Sequence, residues 1–220
     1  MMTEITKLFD LEKTIAKDIF DGKTYPWEIL SGLSDFIYAL GGTLSADEFD
    51  NPCEGVWIAK DATVFPSAYI GAPCIIDHGA EVRHCAFIRG SAIIGKKAVV
   101  GNSTELKNAL LFDEVQVPHY NYVGDSVLGY KSHMGAGSIT SNVKSDKSLV
   151  LIKDPEGEIP TGRKKVGAML GDNVEVGCNS VLNPGTVLGR GVSVYPTSCV
   201  RGVVPENHIY KDKDNIIPRD

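Results

Sequence analysis

Large apolar residues recur through the middle of the chain at one interval. Ile58, Val64, Ile70, Ile76, Val82, Ile88, Ile94, Val100, Leu106 and Phe112 lie six residues apart. Neither helical nor simple strand periodicity sustains a six-residue step over 55 residues. A parallel β-helix does, because each short strand turns a corner and restarts with its inward side chain on the same ladder. The ladder resumes as Leu170, Val176, Leu182, Leu188, Val194 and Val200, and small residues often follow its members, as in "IG" at 70 and 94 and "LG" at 128, 170 and 188. A small residue there lets the backbone bend tightly.

The pattern changes in three places. Residues 3–41 carry apolar positions at roughly helical spacing, interrupted by "DGKTYP", and predict two helices within an N-terminal segment of residues 1–50. Phe112 to Val117 and Val123 to Leu128 are steps of five, bracketing "VPHYNYVGD". Residues 143–168 carry no hexad, and "SLVLIK", "DPEG" and "EIPTGRKK" predict a hairpin looped out from a corner. The chain thus divides into the helical segment, an all-β solenoid over 51–205 with its insertion, and a tail over 206–220.

Composition narrows the function. A net charge of -6 and a pI near 5.4 argue against a nucleic-acid footprint, so a bound anion needs a local cluster of cations. The five cysteines have no C-x-x-C spacing, which points away from zinc and disulfides. No signal-type or membrane-length apolar run occurs, and a cytoplasmic protein without a membrane partner is expected.

Arg89 in "FIRG" and Lys107 in "ELKN" stand where a small residue is common, and they are 18 residues, one coil of three hexads, apart. Stacked about 4.8 Å apart, they repel each other unless a doubly charged anion such as phosphate lies between them. The simpler reading has both reach solvent or pair with Glu105 and Glu81. His119 follows within a coil of Lys107 and is the best general-base candidate, since a neutral imidazole accepts a proton near physiological pH. The five histidines offer no H-x-x-x-x-H pair for a metal, and none is expected.

Residues 101–143, with "SNVKSDK" and "GRKKVGAMLGDNVEVG", resemble the hexapeptide-repeat acyltransferases. The likeness is to the C-terminal acetyltransferase domain of the bifunctional N-acetylglucosamine-1-phosphate uridyltransferase/glucosamine-1-phosphate acetyltransferases, and more closely to archaeal-type sugar-1-phosphate nucleotidyltransferases. It implies a left-handed β-helix, acetyl-CoA as co-substrate, a sugar phosphate as acceptor, and a homotrimer with sites between adjacent β-helices.

The resemblance assigns the sugar phosphate to Arg89 and Lys107, catalysis to His119, and the sugar to Tyr122, Asn142 and Lys165. It places Ala136, Cys178 and Pro196 along the CoA groove. His133 stands where the family has a sugar-contacting Asn, Cys178 where it has a Ser, and Pro196 where it has a small residue. No counterpart of the family's nucleotidyltransferase half precedes the coils, so pyrophosphorylase activity is not expected of this chain. The alternative is a noncatalytic sugar-phosphate or nucleotide-sugar binding module that partners a separate nucleotidyltransferase.

Overall fold

The computed structural model describes residues 1–219. Residues 56–212 wind into a parallel β-helix. On one face Ile76 pairs with Ile94, Ile94 with Leu111, Leu111 with Leu128, Leu128 with Leu170, Leu170 with Leu188 and Leu188 with Val204. These side chains fill the axis of the coil, where all are buried. The sequence reading puts Phe112 in this ladder, whereas the structure puts Leu111 there. The short steps are therefore Leu106 to Leu111 and Val123 to Leu128, which shorten successive coils to 17 residues (Glu105 to Tyr122). Phe112 turns outward past the corner and packs on Phe9 and Phe20, with ring centroids 5.1 and 6.0 Å away.

The small residues after the ladder positions have a different task from the one the sequence suggests. Left-handed backbone falls mainly on non-glycine corner residues such as Lys97, Ser103, Asn108, Glu114, Tyr120 and Asp125. Gly95 and Gly101 have no positive φ, but a Cβ on either would collide with the main chain of the next coil, at Phe112 and Pro118 respectively. Close approach between coils, not bending, excludes a side chain there.

One face of the prism is apolar on both sides. Its strands Cys74–Ile76, Ala92–Ile94 and Ala168–Leu170 are buried at every position, as are the stretches 109–111 and 126–128. The outward residues Ile75, Ile93, Leu110 and Val127 need a cover, and burying each contributes roughly 1.5–3 kcal/mol.

The N-terminal segment packs against this face, but not as two helices. Residues 3–41 form one helical turn (Ile5–Leu8), three 3₁₀ turns and one nine-residue helix (Leu33–Gly41). Part of the reason lies in where its main-chain groups bond. Asp10 N–H donates to Asp172 Oδ2 at 2.7 Å, the Leu8 carbonyl accepts the Asp172 N–H, and the Lys13 carbonyl accepts the Asp113 N–H. Groups committed to the coil cannot close helical bonds. Phe49–Cys53, across the expected boundary at residue 50, is a strand paired antiparallel with Val56–Ala59.

The insertion is a hairpin, Leu151–Asp154 against Gly157–Pro160, rooted by a bridge between Val143 and Lys165. Val150 and Ile152 are buried against Gly185 of the coil. The expected tail is also structured: His208–Asp212 pairs with Ser193–Val194 and folds back on Asn215–Pro218. Among the described residues no helix is long and apolar enough to cross a membrane.

Candidate functional site

Corner geometry gathers four of the predicted residues into one column. The Gly137 N–H donates to the His119 carbonyl (3.0 Å), the Asn179 N–H to that of Ala136 (2.8 Å), and the Thr197 N–H to that of Cys178 (2.8 Å). His119, Ala136, Cys178 and Pro196 therefore occupy successive rungs of a single edge, which spans roughly 14 Å at strand spacing. His119, Cys178 and Pro196 are exposed and Ala136 is half-buried. The His119 N–H is held by Asn121 Oδ1 at 3.1 Å, and the buried Asn121 side chain also donates to the Gly135 and Ser138 carbonyls.

The strand that follows this corner carries the second group. Glu105 lies beside Tyr122, and Lys107 beside Gly124. Arg89 sits one rung below Lys107, its N–H bonded to the Leu106 carbonyl. The two cations stack as their spacing predicts, but neither is without a carboxylate. Arg89 Nη1 donates to Glu105 Oε1 at 2.9 Å in an exposed pair, while Lys107 Nζ lies 3.1 and 3.0 Å from the two oxygens of Asp125. The bare, mutually repelling pair is thus corrected to a charge-balanced cluster. Glu105 shares the strand face of Lys107, and Asp125 folds in from the next corner. Glu81 serves Arg83 instead, at 2.8 Å.

Asp125 is the centre of this cluster. Its carboxylate is 2% exposed and also accepts from Asn108 Nδ2 (2.8 Å) and Asn142 Nδ2 (2.6 Å). Asn142 Nδ2 reaches the Tyr122 hydroxyl at 3.2 Å. Burial pushes the Tyr122 phenol above its ordinary range, and the anions of Asp125 and Glu105 add to this against the opposing influence of Asn142 and Arg89. Tyr122 therefore stays a neutral hydroxyl at physiological pH. The hydrogen bond to Glu105, and then that carboxylate's charge, push the Arg89 guanidinium further above its ordinary range.

Lys165 is exposed beside this group, since the next residue, Val166, bonds the Asn142 carbonyl at 3.1 Å. His133 is not brought there within one chain. It lies on another face, in register with Gln116 and Glu175, and its Nδ1 is 2.8 Å from Glu175 Oε2. A cavity of ≈ 740 Å³ opens between the hairpin and the coil, lined by Ser141, Lys144, Lys153, Asn183 and Arg201. It does not include His119, whose column is an open edge of the single chain. Among the described residues there is no cluster of His, Cys, Asp and Glu able to hold a metal.

Sequence reasoning missed Asp125 and Asn108. Asp125 leaves a trace, as the one acidic residue between the ladder members Val123 and Leu128, at a shortened step.

The coil and its stacked corners define a hexapeptide-repeat β-helix of the acetyltransferase-like type. The profile of the GMPPB C-terminal domain matches residues 70–217, and the chain belongs to that family. It is 30% identical over 199 residues to the bifunctional protein GlmU of Methanococcus maripaludis, covering 89% of this chain and 48% of that protein. It is 32% identical over 109 residues to the bifunctional sugar-1-phosphate nucleotidylyltransferase/acetyltransferase of Sulfurisphaera tokodaii, covering 50% of this chain and 27% of that one. The chain thus spans about half or less of the length of these relatives. Among solved structures it is similar to the acetyltransferase domain of PglB from Neisseria gonorrhoeae FA1090 in complex with acetyl coenzyme A. That similarity has a TM-score of 0.35 at 18% identity, over 74% of this chain and 57% of that one.

Proposed function

We propose that this chain is an acetyl-CoA-dependent acetyltransferase acting on a hexosamine 1-phosphate, with His119 as general base. The observation that carries the reading is the single edge on which His119, Ala136, Cys178 and Pro196 stack, next to the strand face of Arg89, Lys107, Tyr122 and Asn142. Above His119 the edge carries the short side chains of Ala136, Cys178 and Pro196, which suits an extended thioester ligand, and a relative named as an acetyltransferase supports it.

Acetyl-CoA supplies the activated carbonyl and the thiolate leaving group. His119 takes the proton from the sugar's amine as that nitrogen bonds to the carbonyl carbon, which becomes tetrahedral and then expels the thiolate. The Ala136 N–H, with no acceptor among the described residues, is the donor for the developing oxyanion. Arg89 and Lys107 hold the phosphate, and Tyr122, Asn142 and Lys165 orient the sugar, which turns a two-body encounter into an ordered attack. A homotrimer completes the open edge, and His133, remote within one chain, then serves a neighbouring copy.

A second reading, a noncatalytic sugar-phosphate or nucleotide-sugar binding module, is favoured by the carboxylate partners of both cations. Release of free thiol from acetyl-CoA with a panel of hexosamine 1-phosphates separates the two. Acceptor-dependent release supports the enzyme, and sugar-phosphate binding without release supports the module.

A further inference from the structure

The strongest unassigned feature is the Asp125 carboxylate, and its geometry bears on how an anion is held. Lys107, a cation on a four-carbon stem, gives up rotamer freedom when it is fixed on a ligand. In this structure that cost is met before any ligand arrives. The ammonium is anchored on both Asp125 oxygens, and its side chain is only 27% exposed. An ammonium has three N–H donors, so two can serve Asp125 while the third stays directed away from it.

The same carboxylate fixes Asn142 at 2.6 Å, and that amide touches the Tyr122 hydroxyl. Asn142 comes from the coil above Asp125, and Lys107 from the coil below. Asp125 is itself bolted down: its backbone is left-handed (φ 48), and its carbonyl accepts the Gly167 N–H at 2.8 Å, at the root of the insertion. Its Asn108 partner is tied in turn to the Leu30 carbonyl of the N-terminal segment at 3.2 Å. The Asp125 carboxylate is buried and held by Lys107, Asn108 and Asn142, whereas the half-buried Glu105 carboxylate bonds Arg89.

We propose that Asp125 is a positioning residue that presets Lys107 for the phosphate, and Asn142 with Tyr122 for the sugar, of a hexosamine 1-phosphate. The two carboxylates of the cluster then differ in kind. Glu105 yields Arg89 to the incoming phosphate, while Asp125 keeps Lys107 and orients it. This inference rests on the proposed acceptor class. It also makes the pocket selective for the phosphorylated sugar by preorganisation, without adding a net positive charge.

The test compares binding of glucosamine 1-phosphate and glucosamine by calorimetry for the wild type, Asp125→Asn and, as a control outside the cluster, Glu81→Gln. Asp125→Asn removes the charge that anchors Lys107 and is expected to weaken glucosamine 1-phosphate at least tenfold while changing glucosamine less than threefold. Glu81→Gln removes a carboxylate that serves Arg83 and bonds neither Lys107 nor Asp125, and is expected to stay within threefold of wild type for both. Full retention of glucosamine 1-phosphate affinity by Asp125→Asn overturns this inference alone, whereas a wild type that binds no hexosamine 1-phosphate overturns it together with the proposed acceptor. If Asp125→Asn does not fold, the ¹⁵Nζ resonance of Lys107 in the wild type decides. It is expected to shift with glucosamine 1-phosphate and not with glucosamine, and no shift with either overturns the assignment.

Discussion

The carbonyl of His119 accepts the N–H of Gly137 at 3.0 Å, which seats Ala136 on the rung above the imidazole. Two further bonds of the same kind extend that edge to Cys178 and Pro196. Cys178 is exposed and its thiol is free, so a maleimide adduct there blocks the column. Alkylation is expected to abolish acetyl transfer in the wild type, acetyl-CoA to protect against it, and Cys178→Ala to remain active after the same treatment. The exposed Cys53, Cys85 and Cys199 serve as internal controls, since they remain reactive in Cys178→Ala.

The two cations of the cluster separate by stability. Arg89 and Glu105 form a solvent-exposed pair, and Arg89→Ala is expected to leave the urea unfolding midpoint close to that of the wild type. Lys107→Ala strips the buried Asp125 of its counter-charge and leaves it two amide donors, which costs about 1–3 kcal/mol. Urea denaturation of both variants measures the contrast, and both lose affinity for the sugar phosphate.

Gly101 has no room for a methyl group, because its Cβ would overlap the Pro118 main chain, the residue before His119. Gly101→Ala is expected to destabilise the fold by roughly 1–3 kcal/mol and to move the His119 corner. Its transfer rate, measured well below its melting temperature, falls further than that of Gly95→Ala, whose clash lies at Phe112, away from the column.

Asp77 is fully buried, with Oδ1 bonded to the His78 N–H at 2.7 Å and Oδ2 without a hydrogen-bond partner among the described residues. Burial raises its pKa above the ordinary 3.8, against the His78 N–H, Lys96 and His78 charge and with the help of Asp61. A carboxyl whose folded pKa is raised opposes folding when ionised. That penalty is present at neutral pH and fades as pH falls through the raised value toward 3.8. Asp77→Asn is expected to raise the melting temperature at pH 7, and the gain over wild type shrinks as the solution is acidified into that range.

The inward ladder was the legible part of the fold, because a six-residue period admits few structures, and it located the corner of His119 and the stacking of Arg89 on Lys107. Register at Phe112 was not legible. Leu111 and Phe112 are both large and apolar, and only pairing with Ile94 and Leu128 decides which one points inward. The form of the N-terminal segment was hidden for a related reason: its main chain is satisfied by Asp172 and Asp113, more than 90 residues away. Asp125 escaped notice because a lone Asp at a turn is common. What marks it is convergence of donors from separate coils, which no local spacing reveals.

The central claim is that His119 accepts the proton of an amine that attacks a thioester on this edge. It is tested most directly by following acetylation of a hexosamine 1-phosphate, by free thiol and by mass of the product, for wild type and His119→Ala. Because His119 is exposed, the variant is expected to keep the wild-type melting temperature and to lose about 10²–10⁴-fold in transfer rate. Equal rates for the two proteins, or no acetylated product from the wild type with any hexosamine 1-phosphate, would contradict the account.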